Sequence, residues 1–287
     1  MDVSQNGGVT TVRIDVEVGQ QQKIYLISDA HFDSVFCDRD LFRRHLERAL
    51  RDSALILDGG DFFDAMQGRF DPRRSMDELR PEYRRDDYYD FVVQDAAEYL
   101  EPFASSMILM APGNHELSIL KNANTYLTDR LVAELRRRGA PVVTGGFKGW
   151  VRIVWRYRNG NDGGSFLIRY SHSGGGHSAP VTRGVIDTNR QAVYLPDAHV
   201  VWNGHNHEGW IVPIARERIN GKGSVFSDIA WFIRTPGYKS EYESNDIGFA
   251  AQRAIGPRPR GCAVITLEYT KKGTMSSHIE PLFEASS

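Results

Sequence analysis

The chain has 287 residues, with 35 Lys+Arg against 37 Asp+Glu, a formal net charge of -2 and 41% hydrophobic residues. That balance gives no global basic field for nucleic acid or anionic membrane, and the apolar share is enough to bury a sizeable core. Two cysteines, Cys37 and Cys262, cannot build a disulfide framework and form no CxxC pair. No apolar span of about 20 residues and no basic start followed by an apolar stretch is present, so a reducing, cytoplasmic setting away from membranes is expected.

No repeat, low-complexity tract or clean linker interrupts the sequence, which predicts one domain over 1–287 with a charged insertion at 65–90 and an aromatic, loop-rich segment at 208–260. A strand at 24–27 leads to a helix capped by Asp38, with Leu41, Phe42, Leu46, Ala49 and Leu50 on one face. A strand at 54–57 follows, then a helix within 87–103 carrying Val92, Ala96, Tyr99 and Leu100. Next come a strand at 107–110 and a helix over 124–138, with Leu127, Leu131 and Leu135 inward and Gly139 as its stop. From there hairpins take over: 150–157 with 165–170 around Asn159-Gly160, 210–219 with 224–233 around Asn220-Gly221, and 262–269 with 274–283. Parallel βα units followed by antiparallel hairpins predict an α/β chain with mixed sheets covered by helices and ligands at strand ends.

The apolar runs share one feature: each of five ends in a polar cluster. The clusters are Asp29-x-His31, Gly60-Asp61-x-x-Asp64, Gly113-Asn114-His115-Glu116, His172, and Gly204-His205-x-His207. Carboxylates, imidazoles and one amide suit borderline divalent metals such as manganese, iron or zinc better than calcium, which prefers oxygen alone. These side chains exceed what one tetrahedral ion needs, whereas two ions sharing a carboxylate would use them. Glycines beside them let the backbone turn sharply at each strand end. Taken singly, an Asp in such a place is more often a turn or a cap than a ligand, so the conjunction carries the reading. Asp33 and Asp58 read as turn or solvent acids, and Glu116 as a helix-start acid or a partner of the site. His45, His199 and His278 lack ligand-like neighbours, and Cys37 reads as a small buried apolar side chain.

In this order, the five clusters resemble those of the calcineurin-like metallophosphoesterase superfamily, over 29–207. The resemblance implies a four-layer αββα sandwich, two mixed β-sheets flanked by helices with the metal site at strand ends. It also implies two divalent ions, manganese foremost, with iron, zinc or nickel as alternatives. Asp29, His31 and His207 would hold one ion, Asn114, His172 and His205 the other, and Asp61 would bridge them. The fourth cluster also contains His177; His172 is preferred as ligand because it directly ends an apolar strand, and His177, in a glycine-rich loop, would contact substrate. His115 would face the leaving group as acid or hydrogen-bond donor, oriented by Asp64, while water activated by the ions attacks phosphorus in line.

The superfamily resemblance spans protein phosphatases, nucleases, cyclic nucleotide phosphodiesterases and small-ester hydrolases, so the site alone does not choose among them. The serine/threonine phosphatase pattern places arginines after the second aspartate motif and before GNHE, where this chain has Ala65-Met66 and Pro112. Phosphodiesters are therefore favoured, with exonuclease or phosphomonoesterase activity, or a non-catalytic scaffold, as alternatives. The substrate would be a phosphoester, with nucleotides and nucleic acid as candidates. In the insertion, Arg69, Arg73, Arg74, Arg80, Arg84 and Arg85 alternate with acids and read either as a salt-bridged surface or as phosphate contacts, Arg69 first among the latter. The loop Arg234-Thr235-Pro236-Gly237-Tyr238-Lys239 would cover the site, with Tyr238 against substrate, or form an oligomer contact.

Overall fold

Alternating burial along the strands builds the architecture in a computed structural model that describes residues 1–65, 76–158, 163–172, 184–240, 257–270 and 275–285. In β3 (Gln21–Ile27), Ile24 and Leu26 face one apolar core while Tyr25 and Ile27 face another. Opposite pointing of successive side chains makes one strand serve two cores. β3 lies in a six-stranded sheet ordered β13-β12-β3-β4-β5-β6, with β4 at Leu55–Asp58, β5 at Met107–Met110, β6 at Val143–Thr144, β12 at Arg260–Tyr269 and β13 at Met275–Glu284. Here β3 to β6 run parallel, and β12 and β13 join antiparallel.

The second sheet has seven strands in the order β1-β2-β7-β8-β9-β11-β10: β1 (Asp2–Asn6), β2 (Val9–Val16), β7 (Lys148–Tyr157), β8 (Gly164–Ser171), β9 (Val200–Asn203), β10 (Trp210–Ile219) and β11 (Val225–Arg234). It is mixed as well, since β8, β9 and β11 are parallel while β7 and β10 are antiparallel to β8 and β11. Val12, Ile14, Ile153, Phe166, Ile168 and Trp202 of this sheet meet Ile24, Leu26, Leu55 and Leu57 of the first in one core. Helices α1 (Arg39–Arg51), α2 (Tyr88–Leu100), α3 (Asn114–Ala123) and α4 (Leu127–Arg137) cover the outer face of the six-stranded sheet. α5 (Val185–Tyr194) lies over the outer face of the other, where Ala192 packs with Val201 and Phe232. The layers are thus helix, sheet, sheet, helix, as the resemblance implies, and no helix among the described residues is long and apolar enough to cross a membrane.

Local chemistry explains most of the element boundaries. Asp38 caps α1 by accepting the Leu41 N–H at 2.9 Å. Leu41, Phe42, Leu46 and Ala49 are buried, but Leu50 turns to water, one position off the stripe. Leu127, Leu131 and Leu135 of α4 are buried, and Gly139 ends the turn at φ 90°. Asn220-Gly221 does not form a two-residue turn. The Asn220 side chain instead accepts the N–H groups of Lys222 and Ser224, and Gly223 takes the left-handed position, closing a longer loop between Ile219 and Val225. The Asn159-Gly160 turn lies outside the described residues.

Candidate metal centre

The parallel strands of both sheets end on the same side, and the polar clusters follow those ends. Asp29 and His31 come after β3, Asp61 and Asp64 after β4, Asn114 and His115 open α3 after β5, His172 follows β8, and His205 and His207 follow β9. Asp29, His31, Asp61, Asp64 and His172 are buried to 1% exposure or less. Asp29 N–H donates to the Gly60 carbonyl at 2.8 Å and His31 N–H to the Asp61 carbonyl at 3.1 Å, so strand-like pairing continues past β3 and β4 into the cluster.

The backbone is strained where the side chains converge. Among the described residues, eight non-glycines have left-handed φ, and five of them are Asp29 (52°), His31 (47°), Asp61 (52°), His205 (85°) and His207 (53°). Such conformations cost roughly 1–3 kcal/mol each and persist only where surroundings fix them. The expected sharp turns therefore fall mostly on the polar residues themselves. The glycine requirement at Gly113 and Gly204 is one of space: a Cβ on Gly113 would lie 2.1 Å from Asp61 Oδ1, and one on Gly204 2.7 Å from Asp29 Oδ2.

Three buried carboxylates clamp these loops. Asp33 accepts the N–H groups of Asp64 at 2.6 Å and Ala65 at 2.9 Å together with the Tyr88 hydroxyl. Asp58 accepts Gly60 N–H at 2.8 Å. Glu116 accepts those of Gly113 and Phe63, both at 2.8 Å, and of Asp61 at 3.2 Å. A solvent role for Asp33 or Asp58 is excluded by burial, and Glu116 is at once the acid of a helix start and a partner of the site. Burial, followed by the Asp61 charge, pushes Glu116 up to about 7 against its backbone donors. Burial and the Asp64 charge likewise raise Asp33.

Hydrogen bonds fix the ring faces of three histidines. His172 Nδ1 lies 2.9 Å from the Gly59 carbonyl, which can only accept, so Nδ1 carries the proton and Nε2 faces the cluster. By the same argument His115 donates from Nδ1 to the Asp64 carbonyl at 2.5 Å. His31 Nδ1 is 2.7 Å from Asp64 Oδ1, leaving Nε2 toward His207. The Asp64 carboxylate thus orients His31, and its backbone carbonyl orients His115, whose Nδ1 is 3.5 Å from Oδ1.

The donor set fits metal ions. Asp29, His31 and His207 form one group and Asp61, His172 and His205 another, with potential ligand atoms in each group within 4.8 Å of one another. His31 Nε2 and His207 Nε2 are 3.2 Å apart, close to the separation of about 3.3 Å that two imidazole nitrogens take on one tetrahedral ion at about 2.0 Å. Asn114 Oδ1, His172 Nε2 and His205 Nδ1 are buried without hydrogen-bond partners, which fits a role as cation ligands. His172 Nε2 also lies 2.9 Å from Asp61 Oδ2, outside hydrogen-bond geometry. Electrostatics agree: burial works against charge on His172, yet Asp61 and Asp29 outweigh it and hold the imidazole up to about 10, so these carboxylates are placed to receive positive charge. Burial brings His31 down to about 4 despite Asp64, which keeps its ring neutral.

Other expected contacts differ. Tyr238 does not reach substrate: it is fully buried, its ring centroid is 4.7 Å from that of Phe42 and its hydroxyl is 3.0 Å from His45 Nδ1. Gly237 lies against Asp29 in the left-handed conformation, φ 79°, and this sends the next side chain into the helix-side core. Lys239 is the residue of that loop that reaches the cluster, with Nζ 3.1 Å from Asp64 Oδ1. Arg80 binds the carbonyls of Ser34 and Cys37, Arg84 that of Leu79, and Arg85 pairs with Asp87. Arg85 thus fits the salt-bridged reading of the insertion, while Arg80 and Arg84 are tied to backbone carbonyls instead. Arg69, Arg73, Arg74 and His177 lie outside the described residues. Cys37 and Cys262 are buried free thiols.

No family model and no curated protein matches the chain. Solved structures do align with it. A conserved protein from Streptococcus pneumoniae TIGR4, titled a predicted phosphoesterase, shares 14% identity over 91% of this chain and 99% of its own, with TM-score 0.32. A metallophosphoesterase from Sphaerobacter thermophilus shares 12% over 90% and 88%, with TM-score 0.33. A dimetal phosphatase from Danio rerio shares 11% over 90% and 95%, with TM-score 0.38.

Proposed function

We propose that the chain hydrolyses phosphoester bonds with two divalent ions, manganese foremost, and favours phosphodiesters. One observation carries this reading: five strand ends from two sheets bring Asp29, His31, Asp61, Asn114, His172, His205 and His207 together, with Asn114 Oδ1 and His205 Nδ1 buried and without a hydrogen-bond partner. Asp29, His31 and His207 would hold one ion, Asn114, His172 and His205 the other, and Asp61 both. When bound, the ions supply the Lewis acidity that lowers the pKa of water and neutralises phosphoryl charge.

The chain supplies the rest. With Nδ1 of His115 committed to the Asp64 carbonyl, Nε2 is the atom that would pass a proton to a leaving group, and it lies 3.9 Å from Asp61 Oδ2, facing the same cluster. The Asp61 carboxylate accepts the backbone N–H of His115 at 2.8 Å, which ties the position of the acid to the group that would bridge the ions. Ala65 and Pro112 stand where a phosphoprotein phosphatase would offer arginines, which supports diesters over phosphoprotein.

The test compares an aryl phosphodiester with the matching monoester, using metal-stripped protein reloaded with manganese and Asp61→Asn alongside. Manganese-dependent turnover, greater on the diester and abolished in Asp61→Asn, is the expected result. Greater turnover on the monoester would overturn the diester preference, and salt-sensitive degradation of DNA would move the substrate to nucleic acid. Absence of manganese binding would sink the metal reading altogether.

A further inference from the structure

The loop after β11 passes behind the cluster and is fastened to it residue by residue. Thr235 Oγ1 is 2.7 Å from Ser28 Oγ, and that hydroxyl donates to Asp29 Oδ2 at 2.5 Å. Tyr238 N–H donates to the Asp29 carbonyl and Ser240 N–H to the Phe36 carbonyl, each at 2.9 Å. Lys239, between them, bridges to Cys37 in antiparallel fashion. Its backbone is therefore fixed on both sides, and its side chain is 4% exposed.

The ammonium at the end of that side chain lies 3.1 Å from Asp64 Oδ1, 3.3 Å from Oδ2 and 3.6 Å from Glu78 Oε2. Asp64 Oδ1 is the same oxygen that takes the His31 Nδ1–H at 2.7 Å. We propose that Lys239 is a positioning residue for the metal centre: it holds the Asp64 carboxylate in the rotamer that fixes the His31 ring with Nε2 toward His207. A buried ion pair is weak evidence for stability, because desolvation offsets most of the attraction. A role in orientation explains why one stands here, since outer partners of metal-binding histidines set ring direction and ligand basicity. Without the ammonium, the carboxylate loses a partner on both oxygens and the His31 ring loses its single setting.

This inference rests on the dinuclear reading, and manganese binding separates the two. Metal-stripped wild-type protein, Lys239→Met and Lys239→Arg are titrated with manganese by calorimetry, and each is melted in chelator. In Lys239→Met one of two sites should weaken by about 10- to 100-fold, and the melting temperature in chelator should fall, because Asp64 is left buried without its ammonium. Lys239→Arg, which keeps a cation beside Asp64, should recover most of the affinity. In an Asp64→Asn background, adding Lys239→Met should weaken manganese binding no further, because the lysine acts through that carboxylate. The paired change also keeps the question answerable if Lys239→Met alone does not fold, since it leaves neither charge of the pair buried alone. Wild-type affinity at both sites in Lys239→Met, or additive losses in the double variant, would overturn the assignment of Lys239 alone. A wild-type chain that binds no manganese would overturn the dinuclear reading with it.

Discussion

The two sheets contribute to the cluster in different ways. At the end of the six-stranded sheet, Asp29, His31 and Asp61 are almost fully buried, and their loops are clamped by Asp33, Asp58 and Glu116. At the end of the seven-stranded sheet, the contribution is three imidazoles, of which only His172 is buried. His205 is held through its N–H on Asp29 Oδ1 and Oδ2, at 3.0 and 3.1 Å, rather than by a clamp of its own. The first sheet thus builds a clamped, carboxylate-rich frame, and the second brings imidazole donors onto it. Buried carboxylates divide the work in that frame: Asp33, Asp58 and Glu116 accept hydrogen bonds from the strained loops, while Asp29 and Asp61, which despite burial are held below the usual carboxylate range chiefly by His172, supply negative potential for cations.

If the frame is primary, Asp61, the proposed bridge, is the largest single loss. Asp61→Asn removes the charge of the carboxylate proposed to serve both ions, and the amide would face the His115 backbone N–H and the His172 ring. Turnover with manganese should fall by more than the roughly 100-fold typical of outer metal partners, and calorimetry should register at least one site missing. Two tight manganese sites in the Asp61→Asn variant would show that the second sheet can carry the metals unaided.

His115 probes chemistry without touching the frame's ligands. His115→Ala should keep both manganese sites yet lose about 10²- to 10⁴-fold in turnover, most severely with esters of poor leaving groups. A loss equal across leaving groups would remove the acid role, and a loss of metal would move His115 into the ligand set.

Next in size is the clamp. Glu116→Gln replaces an acceptor of three backbone N–H groups with an amide whose NH₂ must face some of those donors. Leaving a buried donor unsatisfied costs about 1–3 kcal/mol, so denaturant unfolding should shift by that order and manganese affinity should weaken with it. Unchanged affinity alongside lowered stability would mean that the loops keep their strained φ values without the clamp.

How much of this was legible in the sequence follows from where period and order carry information. The clusters could be ordered because each ends an apolar strand, and strands of that kind are recognisable by composition. Their clamps could not be singled out: Asp33 and Asp58 look like any turn acid until burial is known. In the loop 235–240 no periodicity sets which side chain turns inward, and the left-handed turn at Gly237 puts Tyr238 in the helix-side core while Lys239 reaches Asp64. β2 did carry a signal, since Val12, Ile14 and Val16 alternate with polar residues and are buried. Its parallel pairing with β7, more than 130 positions away in sequence, had no local trace. α3 is short and buries only Glu116 and Ile119, which leaves little amphipathic pattern to read.

An effect of the same order as the clamp's lies in the helix-side core of the first sheet, away from the ligands. His45 Nδ1 is 3.0 Å from the Tyr238 hydroxyl and 3.5 Å from Cys262 Sγ, and burial lowers its pKa from 6.5 to about 4. Between those values the unfolded chain binds a proton that the folded chain refuses. Stability therefore rises with pH through this window and is lost as pH falls from about 6.5 toward 4, by at most about 3 kcal/mol for this group. His45→Asn has no proton to gain, so its unfolding free energy in urea should change less between pH 7 and pH 4.5 than that of the wild type. Because the comparison is of slopes, any constant cost of the substitution drops out, and so does the titration of the metal cluster common to both proteins. Equal slopes would assign the acid sensitivity to the imidazoles and carboxylates of the cluster, making the frame rather than the core behind it the pH-limiting part of the fold.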